Sequence, residues 1–408
     1  MRDNDYETIQ EYLVGNTFYY CNYPGFKKFG IITFEADGTI GGSHGQYEQQ
    51  YQVVNHQLLF YNGAGKEAAE FNLTDENDRV IIGKSKIWAA LSLVLVRKST
   101  KEVEVIKPAP EDDKRDLSTF LKSPYYEQIK ELARSGKTID GYDHGEYFVV
   151  DNADTPFGMD RRNGVAYKIE KPLIIKDYLS KKMLVLFNVA MNLMAVSAAD
   201  RQAPANYYRS LQKFLPENTL LLRIADSNLI SGSYYQNTEN FPNYEEEIQN
   251  LIKKVAADNE IPMSNIVCHG GSKGGIGALI HGLLGNYPIV ALDPKMNRKD
   301  FMFAQGDQHF CLDFVPVDFT ERINGLLAET KMNPHDIRIY TSESVPMYPY
   351  ILNLNREKCE VLNVKFKSEV FNGLSDTNKH IKFLNLVFPY QADYIKELFR
   401  KCDIERIR

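Results

Sequence analysis

The sequence predicts an α/β protein, with a mostly parallel sheet flanked by helices over residues 181–408 and a small antiparallel β domain over residues 1–105. Three observations carry this expectation. From Lys181 onward, short apolar runs alternate with stretches of helical periodicity, the pattern of parallel strands joined by crossover helices. Before residue 105, short β-prone runs recur with turn signals between them, as in a small barrel or sandwich. Between a strand and a helix of the carboxy-terminal part lies Gly270-x-Ser272-x-Gly274, a sharp turn that presents a serine.

In the amino-terminal part the strand candidates are Gly30-Ile-Ile-Thr-Phe34, Gln50-Tyr-Gln-Val-Val54, Gln57-Leu-Leu-Phe-Tyr61 and Leu91-Ser-Leu-Val-Leu-Val96. Asp37-Gly38, Gly41-Gly42, Asn62-Gly63 and the polar run Asp75 to Asp78 punctuate them. Lys107 to Lys114, with two prolines and four charges after the first lysine, reads as a linker inside a connecting region over 106–180. A helix is expected from Ser118 to Arg134, and residues 136–175 carry no clear period. Further on, strands are expected at Met183–Phe187, Thr219–Ile224, Asn265–Cys268, Pro288–Leu292, Ile337–Tyr340 and Glu360–Phe366. Helices are expected at Tyr207–Phe214, Tyr244–Asp258, Gly274–Leu284, Phe319–Glu329 and over most of Ile381–Phe399.

Composition bounds the function classes. The chain has 408 residues, room for two or three domains at about 150 residues each. Hydrophobic residues make up 43% and charged residues 25%, enough for a sizeable core and too apolar for a disordered chain. With 48 basic and 54 acidic side chains the net charge is −6, so no broad attraction to nucleic acid or anionic lipid follows. Five dispersed cysteines (Cys21, Cys268, Cys311, Cys359 and Cys402) show neither a disulfide framework nor metal-ligand spacing, which fits a reducing compartment and no metal. The charged start lacks a signal-peptide core, and the longest uncharged run, Met183–Ala199, is short for a membrane span and holds two asparagines. A cytoplasmic protein with no integral membrane segment is expected.

The chemistry centres on Ser272. A serine on a strand-to-helix turn needs small neighbours, supplied here by Gly270, Gly274 and Gly275, and the helix N-terminus behind it favours a developing oxyanion. Neither of the usual phosphate-cradling glycine patterns can be read across the segment. A nucleophilic serine needs a base, expected in the chain order serine, acid, histidine. Of the histidines well downstream, His335 precedes a strand and so lies at the wrong end of a parallel sheet, while His309 falls in the excursion after Asp293. His380 follows the last strand and is the expected base. Glu343, after the penultimate strand, is the first choice for the orienting carboxylate, with Asp293, one strand earlier, as the alternative. The oxyanion donors expected are the backbone amides of Lys273 and of Val189, in the loop after Phe187. Asn188, Asp226, Tyr234, Tyr235 and Asp293 are candidates for substrate contact, since a polar, tyrosine-bearing loop suits a hydroxyl-rich substrate.

Residues 180–385 resemble α/β-hydrolase-like bacterial proteins of capsular polysaccharide biosynthesis and the acetyltransferase-like component of accessory secretion systems for glycosylated adhesins. The residues that carry the resemblance are Tyr207-Tyr-Arg-Ser210, Ala225-Asp-Ser-Asn228, Gly232-Ser-Tyr-Tyr235 and Gly270-Gly-Ser-Lys-Gly-Gly275. The resemblance implies an α/β-hydrolase fold, serine chemistry on glycan acyl groups, and a Ser-Glu/Asp-His triad onto which Ser272, Glu343 and His380 map in order. It implies a carbohydrate or glycan substrate, association with capsule-biosynthesis machinery, and no nucleic-acid partner. No resident cofactor is expected, and acetyl-CoA is an admissible acyl donor. The expected activity is O-acetyl transfer or ester hydrolysis through an acyl-serine. A non-catalytic glycan-binding or scaffold protein on a degenerate hydrolase fold, and a peptidase or thioesterase, stay open beside it.

Overall fold

The computed structural model describes residues 8–23, 28–42, 46–73, 80–89, 91–98, 104–107, 117–143, 146–155, 159–189, 198–202, 208, 210–298 and 312–407. The chain divides into two compact units. One comprises residues 1–110, 137–158 and 195–200; the other comprises 111–136, 159–194 and 201–408.

The first unit is built on eight antiparallel strands: β1 (Thr17–Tyr23), β2 (Lys28–Phe34), β3 (Ile40–Gly42), β4 (Gln50–Val54), β5 (Gln57–Tyr61), β6 (Glu67–Asn72), β7 (Val80–Ser85) and β8 (Ser92–Lys98). Their order is β3-β2-β1-β8-β7-β6-β5-β4, and a bridge between Thr39 and Gln50 brings the two edge strands together. The sheet thus closes on itself as an up-and-down meander, which leaves no long free edge to pair with another chain. Alternation along β1 sorts the side chains. Phe18 and Tyr20 point into an aromatic interior with Phe34, Tyr51, Phe60 and Phe71, while Tyr19 and Cys21 face outward onto Ile31, Val94, Val96 and Val150. Val150 belongs to a second, three-stranded sheet of β9 (Glu104–Ile106), β10 (Lys137–Asp143) and β11 (Glu146–Asp151), in the order β10-β11-β9. Strands β10 and β11 lie in the stretch whose sequence carries no clear period.

The second unit is a mixed sheet of eight strands in the order β12-β13-β15-β14-β16-β17-β18-β19. The strands are β12 (Asp160–Arg162), β13 (Val165–Glu170), β14 (Lys182–Phe187), β15 (Thr219–Ile224), β16 (Ile266–Gly271), β17 (Ile289–Leu292), β18 (Ile337–Thr341) and β19 (Glu360–Asn363). The first two pair antiparallel and the other six run parallel. Strands β14, β15 and β16 are buried along their whole length, as expected of a parallel sheet covered on both faces. Helix Tyr244–Asp258 buries the predicted stripe of Ile248, Leu251, Ile252 and Val255.

Two sequence expectations shift, and a third lies outside the described residues. The sheet takes β12 and β13 from the 106–180 connection, because the three-residue edge strand and the half-polar strand beside it carry no apolar run to announce them. The helix expected over Tyr207–Phe214 reduces to a 3₁₀ turn at Leu211–Phe214, part of the rest lying outside the described residues. The expected linker Lys107–Lys114 lies, beyond Lys107, outside the described residues.

Phe34 is wholly buried and meets Phe18 and Tyr51 edge-on at 5.4 and 4.8 Å. Phe34→Ala should cost about 3–5 kcal/mol, read from urea unfolding of the full chain. A loss under about 1 kcal/mol would mean that the closed sheet repacks freely.

Candidate functional site

The six parallel strands end together, and the candidate site lies at that edge. Strand β16 runs straight into Ser272, and the helix Lys273–Gly285 starts at the next residue. Ser272 has φ 53° and ψ −121°, a conformation a non-glycine residue adopts only when its surroundings force it. They do so here. A Cβ added at Gly274 would stand 2.1 Å from the Phe187 carbonyl oxygen, so the first helical turn lies directly on the backbone at the end of β14. Ser272 N–H donates to Leu292 O at 2.9 Å, and Lys295 N–H donates to Ser272 O at 3.0 Å, which ties the turn to the end of β17.

The residue after Leu292 is Asp293, wholly buried and at φ 36°. Its two carboxylate oxygens are both engaged. Oδ1 accepts from the Thr341 hydroxyl at 2.8 Å, and Oδ2 lies 2.5 Å from His380 Nδ1. His380 sits in the helix Asp376–Leu386, one turn past its Ser375 cap rather than in the loop before it. With Nδ1–H donating to Asp293, the imidazole presents Nε2 as its basic nitrogen. Among the described residues, neither Nε2 nor Ser272 Oγ has a hydrogen-bond partner.

The structure pairs His380 with Asp293, and the expected acid, Glu343, with Asn363. Glu343 is exposed, and it turns to Asn363 on β19, which its N–H and carboxylate engage at 3.1 and 3.3 Å. Strand β18 ends at Thr341, so by Glu343 the chain has already left the sheet edge. What the penultimate strand supplies to the site is the Thr341 hydroxyl. His335 is exposed at the opposite end of β18 and pairs with Glu360. His309 lies outside the described residues.

The substrate-contact candidates are placed differently from the expectation. Tyr234, Tyr235 and Asp226 are 1%, 0% and 0% exposed and present no free side-chain surface. Asp226 accepts from the amides of Ser233 and Tyr234 at 3.0 and 2.8 Å and forms a buried ion pair with Lys273 Nζ at 3.3 Å. Burial holds the Lys273 ammonium below the usual lysine range, against the opposing pull of Asp226. Gly232, at φ 89°, lets this pair close, since a Cβ there would stand 2.4 Å from Asp226 Oδ2. Asn188 is buried too, and its carbonyl accepts from the Tyr235 hydroxyl at 2.7 Å. Asp293 has both oxygens occupied, one by the Thr341 hydroxyl and one by the His380 imidazole.

The residues expected to supply the oxyanion donors, Lys273 and Val189, follow the ends of β16 and β14. Lys273 and Val189 are both buried, and neither backbone amide finds an acceptor among the described residues. Buried amides without an acceptor are uncommon and invite an anionic guest. Sequence reasoning missed Thr341, the ion pair of Lys273, and His281. The hydroxyl at the last position of β18 was a local signal for the first. The other two depend on helix packing, which leaves no local trace.

Among the described residues no cluster of His, Cys, Asp and Glu could hold a metal ion, and no helix is long and apolar enough to cross a membrane. No protein-family model matches the chain, and no curated protein matches it. Similar solved structures include the capsule O-acetyltransferase of Neisseria meningitidis serogroup A, at 17% identity over 60% of this chain and 96% of that one, with a TM-score of 0.38. Another is an S-formylglutathione hydrolase from Agrobacterium tumefaciens, at 8% identity over 60% and 99% of the two chains, with a TM-score of 0.38. A third is esterase 2 of Thermogutta terrifontis, at 15% identity over 58% and 92%, with a TM-score of 0.36.

Two buried histidines make this end of the sheet acid-sensitive. Burial lowers both His269 and His281 from the usual 6.5 to about 4. The unfolded chain therefore takes up protons before the folded one does. The stability they confer is complete above about pH 6.5 and drains away as pH falls towards 4, by on the order of 3 kcal/mol per histidine. Urea midpoints measured across that window should fall, and His281→Gln should flatten its share of the slope. An identical slope in the variant would contradict the assignment.

Proposed function

We propose that the chain is a serine-dependent acyl-transfer enzyme of the α/β-hydrolase type, with Ser272 as nucleophile, His380 as general base and Asp293 as the orienting acid. The observation that supports this most directly is the 2.5 Å contact of His380 Nδ1 with a buried Asp293 carboxylate, beside a serine on a strained strand-to-helix turn. The strand order supports it as well, because the third and fourth strands in sequence exchange places before a run of parallel strands. That order puts the serine turn at the carboxyl edge, where α/β sheets build their sites.

The steps follow from the atoms present. His380 Nε2 takes the proton of Ser272 Oγ as the oxygen attacks an acyl carbonyl carbon. The carbonyl oxygen becomes an anion, held by the amides of Lys273 and Val189. Collapse of the tetrahedral adduct expels the donor's alcohol or thiol, which leaves with the proton from His380. A second hydroxyl then gives its proton to His380 and attacks the acyl-serine; as the Ser272 Oγ–acyl bond breaks, His380 returns that proton to Oγ, and the acyl group leaves on the incoming oxygen. Asp293 keeps Nδ1 protonated throughout and stabilises the imidazolium. The open Ser272–His380 pair is no obstacle, because hydrogen bonds of this kind are often long before substrate binds.

The second hydroxyl is water in an esterase and a sugar hydroxyl in an O-acyltransferase. The resemblance carried by Gly232-Ser-Tyr-Tyr235 and Gly270-Gly-Ser-Lys-Gly-Gly275 implies glycan O-acyl transfer or ester hydrolysis in the synthesis of a capsule or other surface polysaccharide, and we propose that reading.

A fluorophosphonate probe should label the full chain at Ser272 and nowhere else, and Ser272→Ala should abolish both labelling and turnover of p-nitrophenyl acetate. Labelling at another residue would defeat the proposal. The acid has its own test. Asp293→Asn should cut kcat by roughly 10³- to 10⁴-fold, as expected when the imidazole adopts the wrong tautomer. Glu343→Gln should leave kcat within about twofold, as surface substitutions away from a site usually do. The reverse ranking would return the role to Glu343.

A further inference from the structure

The segment that leaves β15, residues 225–236, is buried along its whole length. It is also strained, for Leu229, Tyr234 and Tyr235 have φ of 62°, 58° and 62°. Three non-glycine residues in the left-handed region within one short stretch persist only where the surroundings over-determine them. Tyr235 shows what they are held for. Its ring packs edge-on against Phe187, with centroids 5.0 Å apart, and lies so close over the helix that a Cβ at Gly277 would stand 2.5 Å from its Cδ2. Its carbonyl oxygen accepts from His281 Nε2 at 2.9 Å, and Gln249 Nε2 in turn reaches His281 Nδ1 at 3.1 Å. A neutral imidazole with its proton on Nε2 satisfies both contacts. The phenol is therefore clamped from the ring, the backbone and the helix behind it.

The hydroxyl at the end of this clamp meets the Asn188 carbonyl oxygen at 2.7 Å, with Ile224 O at 3.2 Å. A trans peptide unit is planar, and its C=O and N–H point in opposite directions. Fixing Asn188 O against Tyr235 thus fixes the direction of the Val189 N–H, which faces away from the tyrosine and finds no acceptor among the described residues. The same segment acts on the other amide donor, since Asp226 holds the side chain of Lys273.

From this we infer that Tyr235 is a positioning residue, whose hydroxyl orients the Asn188–Val189 peptide so that the Val189 amide is held ready for the oxyanion. The inference rests on the serine mechanism proposed above. It changes what the tyrosine does: it is not part of the substrate surface but acts on the transition state through a backbone amide.

The test uses the full chain and Tyr235→Phe, which keeps the ring and removes only the oxygen. With p-nitrophenyl acetate, kcat should fall about ten- to a hundredfold, up to the cost of losing one oxyanion donor, while KM stays within about twofold. Affinity for phenylboronic acid, which binds serine as a tetrahedral anion, should fall in step with kcat. A merely structural role would lower the melting temperature without that split. An unchanged kcat and boronate affinity would overturn the inference. If Tyr235→Phe does not fold, Gly277→Ala decides. It keeps the hydroxyl but pushes the ring from the helix side, so it should lower kcat in the same direction, and an unaltered kcat would overturn the inference. The wild type separates the two levels. If it is not labelled at Ser272, the serine mechanism fails; if it is labelled and active while the variants match it, only the role of Tyr235 fails.

Discussion

The helix Lys273–Gly285 approaches the carboxyl ends of the strands more closely than any side chain would permit. A Cβ at Gly274 would stand 2.1 Å from Phe187 O and 3.0 Å from Asn188 O, and one at Gly270 would stand 2.2 Å from Gly274 O. These are backbone-on-backbone contacts, with no flexible side chain to give way. Because the helix sits there, Ser272 must turn through φ 53° to reach it, and its amide must fall on Leu292 O. Because Leu292 is fixed in this way, Asp293 emerges from β17 beside the serine, and His380 closes on it. The site is therefore a consequence of one close contact, propagated along the sheet edge through main-chain bonds that no substitution at a single side chain can adjust.

Two carboxylates are sealed into this edge, and burial of a carboxylate is costly unless its lone pairs are used. Both are used, for different purposes. Asp293 accepts from a hydroxyl and an imidazole, and in the proposed mechanism that imidazole gains and loses a proton. Asp226 accepts from two backbone amides and the Lys273 side chain, so its charge holds shape. The first arrangement sets a tautomer, and the second sets the path of a strained segment. Lys273 lies next to both, since it follows Ser272 in the chain while its side chain anchors Asp226.

How legible each part was depends on how local its cause is. The serine turn was readable because everything it needs lies between Asn265 and Gly277, in the spacing of small residues between a strand and a helix. His380 was expected from strand order alone, as the histidine after the last parallel strand, and the structure pairs it with Asp293. The acid was not. Glu343 and Asp293 both follow strands, and periodicity reports that a strand exists but not the residue at which the chain leaves the sheet. That difference of one or two residues decided the matter, for Thr341 is the last to face Asp293, and Glu343 already faces Asn363. Strands β12 and β13, at and next to the sheet edge, were hidden because short strands with exposed polar residues have no apolar run. Tyr234 and Tyr235 were misread for a chemical reason: a phenol serves a substrate and a backbone carbonyl equally well, and only packing tells which it meets.

The two amide donors differ in what fixes them, and this explains why so much structure converges on one of them. The Lys273 N–H belongs to the first turn of a helix, where amides lack an intrahelical acceptor and point along the axis towards the reacting edge. Its direction follows from helix geometry. Val189 has no such frame, because β14 ends at Phe187 and the peptide that follows is free to rotate about its flanking bonds. A donor that must be preorganised needs its carbonyl side tethered, and a tether is only as rigid as its own support. The tyrosine is supported by a ring contact, a backbone bond to a neutral histidine and a glycine face on the helix that begins directly after Ser272. Both donors are thereby referred to one rigid body, the helix Lys273–Gly285, directly in one case and through Tyr235 in the other.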